Sequence, residues 1–244
     1  MSELPARIGA YKVIRKLGEG GMGIVYAAVD EKLNRNVAVK TIRDVGAASQ
    51  ERVWREARAA AAVNHPGVCQ IYDIAEDGDQ LFLVMELLEG QPLSDMLADG
   101  PQSPIDALTL LLPVLEALQT LHASGIVHRD LKPSNVFVTP HGVKLLDFGL
   151  ARSVVDDATA TVADLTMQGQ VVGTPAYMAP EQLDGSGVDH RADLFAAGAL
   201  LFEMVAGRSP FAAASNMASM HAVLYERPPA LTGTSAAEAV DRIV

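Results

Sequence analysis

The sequence predicts an α+β fold of two unequal lobes, the first rich in strands and the second mostly helical. Three observations carry this. Short β-branched segments with alternating polarity fill the chain up to Glu86. Longer segments of helical period fill most of the remainder. Between them fall Gly90 and Pro92, the residue types that turn a chain. The expected division is 1–86 for the small lobe and 87–244 for the large one, within a single domain.

The strands come in order. "YKVIRKLGE" sets Tyr11 and Val13 against Lys12 and then meets glycines. "GIVYAAVD" and "NVAVKTIR" follow, joined by the polar turn "EKLNRN". Ser49 is placed to cap the Ala-rich helix "SQERVWREARAAAAV". "GVCQIYDIAE" and "QLFLVMEL" then make a hairpin about "EDGD". Past Gly90, "SPIDALTLLLPVLEALQTLHASG" has Ser103 as N-cap, Pro104 in the first helical position and Gly125 at its end; Pro113 predicts a kink. "VFVT" and "VKLL" form a small hairpin around "PHG". A polar segment without period, 151–173, reads as a long functional loop. Helical patterns return at "HRADLFAAGALLFEMVAG" and from Asn216 to Glu226.

Composition narrows the class. With 244 residues, 49% of them hydrophobic and 20% charged, the chain is globular. A formal charge of −11 argues against non-specific nucleic-acid binding, which needs a basic surface. The lone Cys69 excludes an internal disulfide and reads as a small buried hydrophobe. No signal-peptide shape opens the chain, and the longest apolar window, Leu194 to Phe202, is too short to span a bilayer. A cytoplasmic protein is expected, membrane-tethered only if a longer native chain exists.

The chemistry-bearing residues sit in ordered clusters. "LGEGGMGIVY" brings Gly18, Glu19, Gly20, Gly21 and Gly23 ahead of a strand, so the glycines form a hairpin tip whose N–H groups can approach phosphates. Alone, such a tip is equally a plain turn. In "VAVK", period 2 puts Ala38 and Lys40 on one face and Val37 and Val39 on the other. Glu56, in the expected helix, could hold the Lys40 ammonium or pair locally with Arg52. "HRDLKPSN" sets Asp130, Lys132 and Asn135 between apolar neighbours, and "KLLDFG" adds Asp147. Asn135 and Asp147 offer oxygens of the kind Mg²⁺ takes. Asp130 could orient a hydroxyl and accept its proton, and Lys132 could balance charge on a moving phosphoryl group. Each alone reads equally as a solvated loop charge; the ordered set does not.

That set, with "GTPAYMAPE" downstream, resembles the protein-kinase signature. The chain looks like a bacterial serine/threonine protein kinase of the eukaryotic-like (Hanks) type over nearly its whole length. The resemblance implies a bilobal kinase fold and an enzyme that uses ATP with Mg²⁺, or Mn²⁺ in its place. By position it implies that Gly18, Glu19, Gly20, Gly21 and Gly23 cover the phosphates and that Lys40 holds them while paired with Glu56. Asp130 becomes the catalytic base assisted by Lys132, with Asn135 and Asp147 on the metal. Val25, Ala38 and Phe137 would sandwich adenine, Glu86 and Leu88 would bond its edge, and Met85 would guard the pocket behind. Lys132 two residues past Asp130 resembles serine/threonine rather than tyrosine kinases, and "GTPAYMAPE" resembles a segment that binds protein substrates, with Thr174 near Asp130 and Lys132.

Regulation follows from the same resemblance. Arg129 would hold a phosphorylated loop residue, with Thr166 the expected autophosphorylation site among Thr159, Thr161 and Thr166. The family carries a further C-terminal helix whose Arg pairs with the residue matching Glu181. Its lack here is expected to leave Glu181 unpaired and the large lobe weakened. Pairing of two copies through the back of the small lobe has no residue pattern behind it. Two other readings compete: a nucleotide-binding scaffold without catalysis, and a small-molecule phosphotransferase, which "GTPAYMAPE" disfavours.

Overall fold

The computed structural model describes residues 4–20, 23–42, 47–78, 80–147, 174–232 and 235–241. β1 (Arg7–Ile8), β2 (Tyr11–Gly20), β3 (Gly23–Asp30), β4 (Arg35–Ile42), β5 (Ile71–Asp77) and β6 (Gln80–Glu86) form one antiparallel sheet in the order β1-β2-β3-β4-β6-β5. The turn before β4 is made by Asp30, whose Oδ1 accepts from the N–H groups of Lys32 and Leu33, each at 3.1 Å. Ladder register places Val25 opposite Lys40 and Ala38 opposite Met85. The alternation read in "VAVK" is realised. Val37 and Val39 are fully covered beside Tyr11, Tyr26, Phe82 and Val84, while Ala38 joins Leu83 and Met85 in a different, larger core.

That larger core runs across both halves of the chain. Ala57, Val68, Cys69 and Met85 meet Leu93, Leu111, Leu118, Leu145 and Leu200 in one apolar cluster. Helix α1 (Ala47–Ala61) connects β4 to β5 and packs on β5. It begins ahead of Ser49, which therefore lies inside the helix and is not its cap. The run "AASQ" is helix-compatible from its first alanine.

The second half begins with the short strand β7 (Gln91–Pro92) and α2 (Leu93–Ala98). Helix α3 (Pro104–Ala123) starts as the sequence predicts: Ser103 Oγ accepts from Asp106 N at 3.2 Å, with Pro104 in the first turn. It runs as one helix through Pro113. Ala107, Leu111, Val114, Ala117, Leu118 and Leu121 make its buried stripe. Among the described residues α3, rather than Leu194 to Phe202, is the helix long and apolar enough to cross a membrane by length and composition. Here that stripe is spent on the core, against β9 and α5.

β8 (Val136–Thr139) and β9 (Gly142–Leu145) pair with β7 in a three-stranded sheet. The helices that follow are α4 (Pro180–Asp184), α5 (Arg191–Ala206), α6 (Asn216–Tyr225) and α7 (Ser235–Asp241). Helix α5 buries Ala196, Ala197, Leu200, Leu201, Phe202 and Met204, and packs on α3 and α7.

Gly90 is where the first half turns into the second. Its φ is +132°, and a Cβ there would lie 2.1 Å from the carbonyl oxygen of Val138. Both the backbone angle and the β7–β8 contact demand glycine. Gly90→Ala is expected to cost about 2–4 kcal/mol of stability, read as a lowered midpoint in urea unfolding.

Candidate active site

The catalytic segment is built on one buried carboxylate. Asp193, in the first turn of α5, is 1% exposed. Its Oδ2 accepts from His128 N at 2.8 Å and its Oδ1 from Arg129 N at 2.8 Å. His122 Nε2 lies 2.7 Å from Oδ2. Arg129 has φ +64°, a left-handed conformation that costs free energy in a non-glycine residue. That turn aims two successive N–H groups at one anion.

Burial holds the His128 imidazole below its usual pKa and so keeps it neutral. A neutral ring has one bare nitrogen, and Nδ1 accepts from Asp130 N at 3.3 Å.

The reactive groups follow directly. Lys132 Nζ donates to Asp130 Oδ2 at 2.8 Å. Asn135 Nδ2 donates to the same Oδ2 at 2.9 Å and to Asp130 O at 2.8 Å. With its amide nitrogen committed, Asn135 keeps its carbonyl oxygen for a cation. Leu146 N donates to Asn135 O at 2.9 Å, which ties the chain just before Asp147 to Asn135. Asp147 also has a left-handed φ, +58°. Asn135 and Asp147 thus sit on adjoining segments with hard oxygen donors, a set that fits Mg²⁺. Among the described residues no cluster of three or more His, Cys, Asp or Glu forms another metal candidate.

Lys40 departs from expectation. Its ammonium pairs with Asp147 Oδ1 at 2.7 Å, not with Glu56. Both side chains are largely withdrawn from water, at 13% and 22% exposure, and such charges neutralise each other where they can. Glu56 is half-buried on α1.

The glycine hairpin closes with Gly20 opposite Gly23. Gly23 has φ +133°, and a Cβ on it would lie 2.2 Å from Thr41 O. Thr41 Oγ1 accepts from Ile24 N at 2.8 Å, pinning the return strand to β4. Gly18 has open space around it. Glu19 pairs with Lys16 at 2.5 Å on the surface. Gly21 lies outside the described residues.

Val25, Ala38 and Met85 are brought together through the β3-β4-β6 register, and half-buried Phe137 lies on β8. Glu86 N donates to Gln70 O at 2.9 Å, while Glu86 O accepts only a long bond from Cys69 Sγ at 3.8 Å and keeps a lone pair for a ligand. Among the described residues no hydrogen bond engages Leu88. Cys69 is buried, its thiol pushed up to about 12 chiefly by burial and next by Glu86, so it is no nucleophile.

The described part of the "GTPAYMAPE" segment is held through Tyr177, through Ala176 O, which accepts from Ser209 Oγ at 3.4 Å, and through Gln182 just after it. Gln182 Nε2 donates to Arg129 O at 2.9 Å, and its Oε1 accepts from Ala179 N at 3.0 Å. Tyr177 Oη donates to Glu203 on α5. Thr174 is exposed at the head of this segment, and among the described residues its hydroxyl bonds neither Asp130 nor Lys132. Lys132 is instead engaged with Asp130 itself. Glu181 is half-exposed, with the Arg191 guanidinium in its field. Thr166 and Arg242 lie outside the described residues. Sequence reasoning missed Asp193, Gln182 and Glu203. The signal available for Asp193 was an acid in the first turn of an otherwise apolar helix.

Burial holds the Glu203 carboxyl above the usual carboxylate range, and the Tyr177 hydrogen bond draws it back down. A carboxyl with a raised folded pKa costs stability above that pKa, and the cost fades as pH falls through it. Tyr177→Phe removes the donor and is expected to lower stability by about 1–2 kcal/mol at neutral pH. The deficit should shrink between neutral and acidic pH, as Glu203 takes up its proton. Thermal melts of both proteins at the two pH values check this.

Comparison with known proteins bears on this geometry. Residues 11–239 match the protein kinase domain family. The chain is 45% identical over 210 residues to the serine/threonine-protein kinase pkn2 of Myxococcus xanthus, covering 83% of this chain and 25% of that one. It is 40% identical over 233 residues to the serine/threonine-protein kinase PknA of Mycobacterium tuberculosis, covering 91% of this chain and 53% of the relative. It is 38% identical over 250 residues to the probable serine/threonine-protein kinase PknB of Corynebacterium glutamicum, with 96% and 38% covered. The chain therefore spans from a quarter to about half the length of these relatives.

Proposed function

The chain belongs to the protein kinase family, and from that premise we propose that it transfers the γ-phosphoryl group of ATP to serine or threonine hydroxyls of proteins, its own 151–173 segment included. The observation that carries this is the cluster on Asp130. One carboxylate oxygen receives both Lys132 and Asn135, which fixes how the carboxylate is turned.

Asp130 orients the acceptor hydroxyl and takes its proton as the hydroxyl oxygen bonds to the γ-phosphorus. The bond from the γ-phosphorus to the β–γ bridging oxygen breaks, and ADP departs with that electron pair. Lys132, already beside Asp130, is placed to balance charge on the phosphoryl oxygens. Lys40 meets the α and β phosphates, and the glycine hairpin lets backbone N–H groups approach them. Asn135 and Asp147 are the residues that would hold Mg²⁺, which supplies neutralisation of phosphate charge. The segment from Thr174 to Glu181, docked on Arg129 O through Gln182, presents the protein substrate.

The test is intact-mass spectrometry after incubation with Mg²⁺ and ATP, starting from dephosphorylated protein. Wild-type protein should gain mass in steps of one phosphoryl group. Asp130→Asn should slow that gain by about 10²–10⁴-fold. A wild-type chain that gains nothing and leaves a generic protein substrate unmodified sinks the proposal. Peptide mapping of the product should place the main phosphate on Thr166; an active preparation with 151–173 unmodified removes that assignment.

A further inference from the structure

The hairpin that leads into Asp147 carries a charge the reaction does not use. On β9, Val143 and Leu145 are buried, at 6% and 0% exposure, while Lys144 takes the alternate face. Lys144 is paired across the ladder with Phe137, the residue expected beneath adenine. Its ammonium lies 2.7 Å from Glu86 Oε2, with side-chain exposures of 19% and 26%. The same carboxylate oxygen is 3.4 Å from Gln70 N, and Glu86 N donates back to Gln70 O at 2.9 Å. Glu86 is thereby folded onto the 67–70 segment. That segment is itself laced to β9, through Cys69 N to Leu145 O at 2.9 Å and Leu145 N to Gly67 O at 2.8 Å.

Three stretches far apart in sequence thus meet at one ion pair: the edge of the nucleotide pocket at Glu86, its floor at Phe137, and the strand ending at Asp147. A charge pair so far withdrawn from water gives up hydration on both sides. An apolar pair would cover the same space without that cost. What the ion pair adds is direction. It fixes the Glu86 side chain, and through it the Glu86 peptide, whose carbonyl accepts from Cys69 Sγ at 3.8 Å and on the kinase reading would also meet the base.

We propose that Lys144 is a positioning residue for the nucleotide: by tying Glu86 to the strand that pairs with Phe137 it sets affinity for ATP, not the rate of phosphoryl transfer. This rests on the kinase reading of the site. Lys144 touches none of Asp130, Lys132 or Asn135 in any hydrogen bond or ion pair among the described residues.

The experiment measures binding and turnover separately. Binding is read with a fluorescent ADP analogue plus Mg²⁺, and turnover as kcat and KM for ATP. Lys144→Met should raise both the analogue's Kd and the KM for ATP by about five- to tenfold, with kcat changed by less than about twofold. Lys144→Arg should restore wild-type affinity. Glu86→Gln should weaken binding by a similar factor, and the double variant should be no weaker than either single one. The reversed pair, Lys144→Glu with Glu86→Lys, guards against a variant that merely folds poorly, and should bind more tightly than Lys144→Glu alone. Unchanged Kd and KM in Lys144→Met overturn the inference, as does a loss confined to kcat. Additive losses in the double variant overturn it too. A wild-type chain that binds the analogue without transferring phosphate sinks the proposed activity and leaves the pair testable by Kd. A wild-type chain that binds no nucleotide sinks both.

Discussion

The catalytic segment of this protein depends on where one carboxylate is buried. Asp193 is almost wholly covered, and a lone ion there would be costly by several kcal/mol. It is tolerated because its two oxygens collect His128 N, Arg129 N and the His122 ring. The obligation is mutual. The N–H groups of a chain that is neither helix nor strand need acceptors once buried, and Asp193 is the one that reaches them. Helix α5 supplies the rigidity, since Ala196, Leu200, Leu201 and Met204 lock it in the core. Its first turn then serves as a fixed post.

The rest of the site is strung from that post by short links. Held at Arg129, the chain presents Asp130, whose carboxylate Asn135 and Lys132 fix. Asn135 passes the constraint to Leu146, and so to Asp147. Gln182 passes it the other way, from Arg129 O to the segment after Thr174, which Tyr177 anchors a second time on α5 through Glu203. No link exceeds an ordinary hydrogen bond. Precision comes from shared acceptors, since Asp193 Oδ2 and Asp130 Oδ2 each meet two partners, and left-handed angles at Arg129 and Asp147 persist because the surroundings over-determine them.

Local rules carried most of the architecture. The alternation in "VAVK" placed Ala38 and Lys40 opposite Val37 and Val39, because strand period is geometric. Ser103 and Pro104 opened α3 where capping chemistry requires it. The same rules failed at Ser49, where the residues before it are as helix-prone as those after. They gave α3 its ends but passed over it as the long apolar helix, since the longest unbroken apolar window is Leu194 to Phe202. In the site, the chemical residues were legible as motifs, while their partners were not. Asp193 lies 64 residues from Arg129 and looks in sequence like a helix N-terminal acid. Glu56 was the partner read for Lys40, with a local pair to Arg52 as the alternative, and Asp147 entered only once β4 and the segment after β9 were placed side by side. Pairing across such separations is decided by packing, which no local pattern encodes.

Charge poses the remaining problem, and distance resolves it. A chain of net charge −11 is asked to bind a polyanion. At physiological ionic strength charges beyond roughly 8 Å are largely screened, so the overall balance counts for little and the nearest groups decide. Those are Lys40 and Lys132, each matched with a carboxylate, Asp147 and Asp130. Neither carboxylate is surplus, since one has the chemistry of a metal ligand and the other that of a base. Each pair holds its lysine in place, and each lysine keeps donors to spare beyond the one it spends on its partner. On the proposed activity, matching each acid of the site with a cation would let a strongly acidic chain offer a locally neutral site to phosphate.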